Sequence, residues 1–148
     1  MRKLLWLMGI VKIPLIAFVR PKLVHIDEKK VIVRIRLRRR TKNHLQSMYF
    51  GALAVGADVA AGLHAFYFAE QLGEKISFAF KGVNAEFLKR AMSHVTFTSE
   101  EGLAVKTVFE EALTTRERRE KWVKVEAKNE EDEVVAIFQM QISIKVKG

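Results

Sequence analysis

The residue best suited to chemistry in this chain is Asp58, the one formally charged residue between Asn43 and Ala69. It lies within residues 51–65, where nine of the fifteen positions are Gly or Ala. Ala favours a helix, whereas each glycine destabilises the helix by about 1 kcal/mol. A helix that tolerates this cost usually needs the space, so we expect another part of the backbone to approach it closely. An isolated buried carboxylate is expensive, so Asp58 must be solvated, paired or functional. In apolar surroundings its pKa would rise, which suits proton transfer near neutral pH.

Several other kinds of chemistry find no support in the composition. The chain has no cysteine, which excludes a disulfide scaffold, a cysteine zinc site and a thiol nucleophile, and is compatible with the cytoplasmic location that we expect. None of the four histidines stands at a recognisable metal-ligand spacing with carboxylates, so we predict no metal site. His44 is interpreted as a surface or capping residue, and His64 as a histidine of the core or of an interface.

A dense group of basic residues precedes the central helix: Arg34, Arg36, Arg38, Arg39, Arg40 and Lys42. Most of them alternate with apolar residues over 31–40, which predicts a half-buried strand. The simplest interpretation is a solvated face that protects a sheet edge. The net charge of +9 also favours an anionic partner, either the phosphates of coenzyme A or an anionic membrane. We predict no nucleic-acid partner, because the aromatic residues occupy alternating, core-like positions.

The length of 148 residues and the hydrophobic content of 49% predict one domain over residues 1–148. Residues 1–20 imitate a signal peptide, but Lys12 interrupts the apolar run and no small-x-small cleavage site follows. We interpret them as an amphipathic N-terminal helix packed on the domain; the alternative is a helix on a membrane surface. Residues 45–69 could span a bilayer, but Asp58 would cost about 3 kcal/mol there, which favours a buried central helix.

Much of the remaining chain alternates between polar and apolar residues, which predicts strands over 22–27, 31–40, 76–87, 94–99, 122–127 and 134–146. Gly82 is expected to mark a bulge. Residues 100–113 fit either a helix or a strand. One long helix rich in small residues and several antiparallel strands predict an α+β fold of the hotdog type, with the sheet wrapped around the central helix. The alternative is an α+β sandwich with the helix on one open face.

The segment 43–58 resembles the signature of hotdog-fold acyl-CoA thioesterases of the phenylacetate-pathway type, roughly N-x-x-G-x-x-H-G-G-x-x-x-x-x-A-D. The matching positions are Asn43, Gly51, Ala57 and Asp58. The departures are Gln46 for the first glycine, Tyr49 for the histidine and Phe50 for the next glycine. The chain also resembles a branch of hotdog proteins of unassigned function, through Ile13-Pro14 and Phe87-Leu88-Lys89.

The resemblance implies hydrolysis of an acyl thioester, with coenzyme A as part of the substrate and no further cofactor. Asp58 would be the general base or the nucleophile, and the Gly51 backbone N–H at the helix start would polarise the carbonyl. Asn43 is the third candidate catalytic residue. Gly51 and Asp58 lie about 10 Å apart along a helix, too far to act on one carbonyl within a subunit. The family's solution is a dimer whose sites combine both chains; whether dimers pair into tetramers stays open.

The substrate pocket would run along the helix and is expected to include Tyr49, Phe50, Phe87, Leu88 and Lys89. Tyr49 could donate a hydrogen bond where the family has histidine, but with an ordinary pKa it cannot act as a base at pH 7. Two other interpretations remain. The missing histidine and glycines would suit a non-catalytic module that binds acyl-CoA or lipid, and the N-terminal helix would suit a basic membrane-peripheral protein.

Overall fold

The computed structural model describes residues 13–147. Most of the predicted N-terminal helix 1–20 therefore lies outside the described residues. Its described end is a short helix, α1 (Pro14–Val19), which has its proline in the first turn, where the missing N–H has no helical partner to lose. Ile16 and Val19 are buried against the domain, and Arg20 ends the helix in left-handed backbone with φ 58°.

Six antiparallel strands form one sheet: β1 (Lys22–Ile26), β2 (Val31–Ile35), β3 (Lys75–Phe87), β4 (Val95–Ser99), β5 (Arg119–Lys128) and β6 (Val134–Lys147). Their order in space is β1-β2-β4-β5-β6-β3, which leaves β1 and β3 at the edges. The register shifts between Phe80 and Gly82, where the bulge was expected. A Cβ on Gly82 would lie 2.9 Å from the Trp122 ring, so the glycine also permits this cross-sheet contact.

The prediction that one strand covers residues 31–40 is wrong in its second half. β2 ends at Ile35, and a 3₁₀ turn follows at Arg39–Thr41. The Thr41 hydroxyl donates to the Arg36 carbonyl at 2.9 Å and accepts from the Arg38 N–H at 2.9 Å. These bonds satisfy the backbone locally, so the chain turns away although the alternation of side chains continues.

The sheet wraps around α2 (Phe50–Leu72), whose residues are buried over most of its length. Gly56 permits the closest approach: a Cβ there would lie 2.3 Å from the Phe97 ring of β4. The predicted hotdog architecture is therefore confirmed, with small residues on the helix and large ones on the sheet. Among the described residues, α2 alone is long and apolar enough to cross a membrane, but 78% of its most apolar window is buried inside the protein, as expected of a core helix.

The segment that fitted either a helix or a strand forms a second long helix, α3 (Gly102–Thr115). Its apolar residues Val105, Phe109 and Ala112 recur at helical spacing and are buried. The helix packs against α2, β5 and β6. It therefore covers part of α2 that the sheet leaves open.

Candidate functional site

Asp58 lies in the middle of α2 and lines a largely apolar cavity of about 230 Å³. The other lining residues come from the start of the described chain, from α2 and from β3: Ile13, Ile16, Val59, Gly62, Leu63, Phe66, Phe78, Ala79 and Phe80. Burial raises the pKa of the Asp58 carboxyl to about 6, because the apolar walls disfavour its charged form. Near neutral pH this group can therefore both accept and release a proton.

Within residues 13–147, no hydrogen bond or ion pair holds the Asp58 carboxylate. The side chain of Asn43, the polar candidate residue before the helix, is instead hydrogen-bonded to Ser47. A half-buried carboxylate without a partner is costly, and such strain is typical of functional positions. This observation favours the functional interpretation of Asp58 over a purely structural one.

The start of α2 offers two backbone N–H groups to a ligand. Ala52 and Leu53 donate to the Tyr49 carbonyl, whereas the N–H groups of Phe50 and Gly51 have no acceptor among the described residues. The helix dipole adds positive charge at this end. The Tyr49 ring lies over the same turn, since a Cβ on Gly51 would come within 2.5 Å of it.

A groove of about 530 Å³ runs past the start of α2. It brings together most of the residues proposed from the sequence: Asn43, Tyr49, Phe50, Phe87, Leu88 and Lys89. The rings of Phe50 and Phe87 meet edge to face at 6.3 Å, which joins the helix start to the end of β3. Lys89 forms an ion pair with Glu133 on the exposed rim, so its charge is partly neutralised.

Asn43 shapes the loop that forms one wall of this groove. Its Oδ1 accepts the N–H groups of Leu45 and Ser47, and its own N–H donates to the Ser47 carbonyl at 2.8 Å. Within the same loop Gln46 has φ 64°, a conformation that favours glycine. Gln46 is the position at which the thioesterase signature has its first glycine, and its left-handed backbone is one that glycine adopts without strain.

Within one chain the groove and the Asp58 cavity are separate, because no residue lines both. Asp58 and Gly51 share a helix but not a pocket, as their spacing of about 10 Å along it requires. β3 is the element that passes both places, with Phe78 and Phe80 at the cavity and Phe87 at the groove.

Sequence reasoning missed most of the cavity wall. Phe78 and Phe80 were assigned to the alternation of a core strand, and Phe66 was not considered. A signal was present, because Asp58, Gly62 and Phe66 recur every four residues and must share one helix face.

The histidines take no part in a metal site in the described part of the chain, which contains no cluster of His, Cys, Asp or Glu able to hold a metal ion. His64 is buried and donates from Nε2 to the Asp27 carbonyl at 2.9 Å. Burial lowers its pKa, which keeps the ring neutral. His44 is exposed on the rim of the groove.

Comparison with known proteins places the chain by family and by fold. The family described as a domain of unknown function, DUF4442, matches residues 2–146. No curated protein matches the chain.

Solved structures share the fold at low sequence identity. A protein of unknown function from Chlorobaculum tepidum superposes with a TM-score of 0.83 at 13% identity, covering 97% of this chain and 92% of that one. A mutant of the thioesterase PA1618 from Pseudomonas aeruginosa gives 0.73 at 12% identity, covering 99% and 95%. The thioesterase HI1161 from Haemophilus influenzae gives 0.71 at 15% identity, covering 95% and 87%.

Proposed function

This chain belongs to the DUF4442 family of domains of unknown function, and we propose that it hydrolyses acyl thioesters, with coenzyme A as the carrier of the acyl group. The observation that carries the proposal is Asp58: a carboxylate that has no partner among residues 13–147, with a pKa of about 6, in the wall of an apolar cavity in a hotdog fold. The cavity suits an acyl group, because its walls are aliphatic and aromatic. The similarity to structures named as thioesterases supports the same reaction class.

In the proposed reaction Asp58 removes a proton from a water molecule as the water oxygen attacks the thioester carbonyl. The resulting oxyanion accepts hydrogen bonds from backbone N–H groups at a helix start, of which Gly51 is the candidate donor. The C–S bond then breaks, the proton passes to the leaving thiolate, and the products are a carboxylic acid and a thiol. Alternatively Asp58 attacks the carbonyl itself, and water hydrolyses the resulting anhydride.

The proposed site combines two subunits, since Gly51 and Asp58 of one chain are too far apart. β3 has its outer edge unpaired among the described strands and is 13 residues long. If two copies pair their β3 edges antiparallel about the strand middle, Phe87 of one strand lies opposite Lys75 of the other, three residues along that strand from Phe78. The groove of one subunit would then adjoin the Asp58 cavity of its partner, and a homodimer would complete two sites.

A non-catalytic module that binds acyl-CoA or lipid is the second candidate, and one observation favours it. The Tyr49 ring packs over the helix turn that contains Gly51. In this position the tyrosine limits access to the N–H groups on which oxyanion stabilisation depends. A binding module needs the groove and the cavity but not these donors.

The test is thiol release from short-chain, long-chain and aryl acyl-CoAs by the wild type and by Asp58→Asn. We expect turnover that falls at least 100-fold in the variant, the usual scale for loss of a general base. Asp132→Asn is the matched control, because it makes the same chemical change at a side chain that is 87% exposed. Absence of turnover in wild type, together with thermal stabilisation by an acyl-CoA, would establish the binding module instead.

A further inference from the structure

The strongest feature outside the proposed active site is the outer surface of α1 and its neighbours. Leu15 is 63% exposed and Phe18 is 58% exposed, although their companions Ile16 and Val19 are buried. Leu15 and Phe18 are three residues apart and therefore lie on one helix face. α1 is thus apolar on its outer side as well as on its inner side, which is unusual for a helix that faces water.

Positive charges that have no ion-pair partner among residues 13–147 lie next to α1. α1 ends at Arg20 and packs against the 3₁₀ turn Arg39–Thr41, which brings the Arg38-Arg39-Arg40 run next to it. None of these four arginines forms an ion pair with a carboxylate of the described residues. The pKa of Arg40 is lowered, first by burial and then by the positive charges of Arg20 and Arg38. These arginines are therefore close enough to repel one another.

One atom of this group is also without a hydrogen bond. The Nε of Arg40 is buried and has no partner in the described part of the chain. The preceding residues 1–12 add Arg2, Lys3 and Lys12 but no carboxylate, so the sequence supplies no neutralising charge from that side. Arg20, Arg38 and Arg39 are exposed, so an anion supplied from outside can reach them and would relieve the repulsion among the arginines.

We propose that this face, formed by Leu15 and Phe18 with Arg20, Arg38, Arg39 and Arg40, docks the protein on an anionic lipid surface. Exposed Leu and Phe side chains would enter the headgroup boundary, and the guanidinium groups would contact lipid phosphates. A second copy of the chain fits the face less well, because a two-fold contact would bring two groups of unpaired arginines together. The inference is independent of the proposed hydrolysis, since it uses neither Asp58 nor the groove.

The experiment is co-sedimentation of the full-length protein with vesicles of phosphatidylcholine alone or of phosphatidylcholine mixed with phosphatidylglycerol. We expect binding to the mixed vesicles that weakens as salt is added, and little binding to the neutral ones. Arg38→Gln with Arg39→Gln should weaken binding about 25-fold, at about fivefold for each charge. Leu15→Ser with Phe18→Ser should weaken it about tenfold or more, and both side chains are exposed enough for the fold to survive.

The matched control is Lys75→Gln with Lys147→Gln, which removes two exposed, neighbouring charges on β3 and β6, just beyond the C-terminal end of α2. Retention of vesicle binding by this control would support the proposed face. Equal losses in the control and in the arginine variant would show that only net charge matters and would overturn the proposal. Equal binding to both vesicle types would also overturn it. So would a Leu15→Ser/Phe18→Ser variant that becomes monomeric in gel filtration but still binds vesicles, because the face would then be a contact between two copies of the chain.

Discussion

The groove at the start of α2 and the cavity at its middle differ in what they offer to a substrate. The groove is open and supplies backbone N–H groups, exposed aromatic rings and a charged rim. The cavity is smaller and mostly apolar, and its described lining includes one carboxylate, Asp58, which has no partner among residues 13–147. One region can bind and polarise, whereas the other can transfer a proton. One chain thus holds both halves of the proposed hydrolytic site but does not bring them together.

The largest expected effect concerns the cavity: burial of the ionised Asp58 carboxylate should lower the free energy of unfolding. In the folded protein the pKa of Asp58 is about 6, against 3.8 for the free group. Below pH 3.8 the group is protonated in both folded and unfolded chains, and its full contribution to stability is present. Between pH 4 and 6 the unfolded chain ionises first, so stability falls as the pH rises, by about 3 kcal/mol in total.

Asp58→Asn should therefore be more stable than wild type by about 2–3 kcal/mol at pH 7 and nearly equal to it below pH 4. Urea unfolding of both proteins across this pH range measures the difference. Asp132→Asn, on an exposed turn, should follow the wild-type curve. A gap between Asp58→Asn and wild type that does not change with pH would mean that the carboxylate is not desolvated in the cavity.

The two sides of α2 should also differ in how they accept a methyl group. A Cβ on Gly56 would lie 2.3 Å from the ring of Phe97, which is completely buried, whereas a Cβ on Gly62 would lie 3.3 Å from Phe78 at the cavity. We expect Gly56→Ala to lose about 1–3 kcal/mol of stability through overpacking. Gly62→Ala should be neutral or gain up to about 1 kcal/mol, because alanine favours the helix and the Phe78 ring has space to move.

Thermal unfolding of the two alanine variants makes this comparison directly. They carry the same substitution in the same helix, so the difference between them reports packing alone. Equal losses in both would show that the cavity wall is as tightly packed as the face against the sheet.

The smallest effect is expected in the loop beside the groove. Gln46 occupies left-handed backbone, where a side chain costs about 1–2 kcal/mol and glycine nothing. Glycine loses more freedom on folding, so Gln46→Gly should raise the free energy of unfolding by about 0.5–1 kcal/mol. Denaturant unfolding would detect it, and Gln139→Gly, at a β6 position paired with Asn84, should instead destabilise the protein. A loss of stability in Gln46→Gly would mean that the loop depends on the glutamine side chain.

Several features followed from local patterns. The small residues of 51–65 predicted a helix that other parts of the chain approach closely. In the structure the Phe97 ring occupies the space that the absent side chain of Gly56 leaves. The alternation of polar and apolar residues predicted the strands. It failed after Ile35, where the Thr41 hydroxyl bonds to the backbone and turns the chain. The secondary structure of residues 100–113 could not be predicted from the sequence, because the valines of this short segment fit both a helix and a strand. The choice depends on the surface against which the segment packs.

The central helix that carries Asp58 and most of the residues that line the groove could be predicted from the sequence alone. A carboxylate isolated in a run of Gly and Ala can be recognised in the sequence, and so can the spacing of Asn43, Gly51 and Asp58. These are local properties of a helix and of the loop before it.

Which parts of the sheet pack against Asp58 depends on the tertiary structure and could not be read from the sequence. The fold places Phe78 and Phe80 of β3 in the same cavity as Asp58, gives the carboxylate no partner among residues 13–147, and keeps the groove apart from the cavity. The physical reason is that desolvation depends on side chains far away in the chain, which pack around Asp58 only when the sheet closes on the helix. The raised pKa is therefore a property of the fold rather than of the sequence around residue 58.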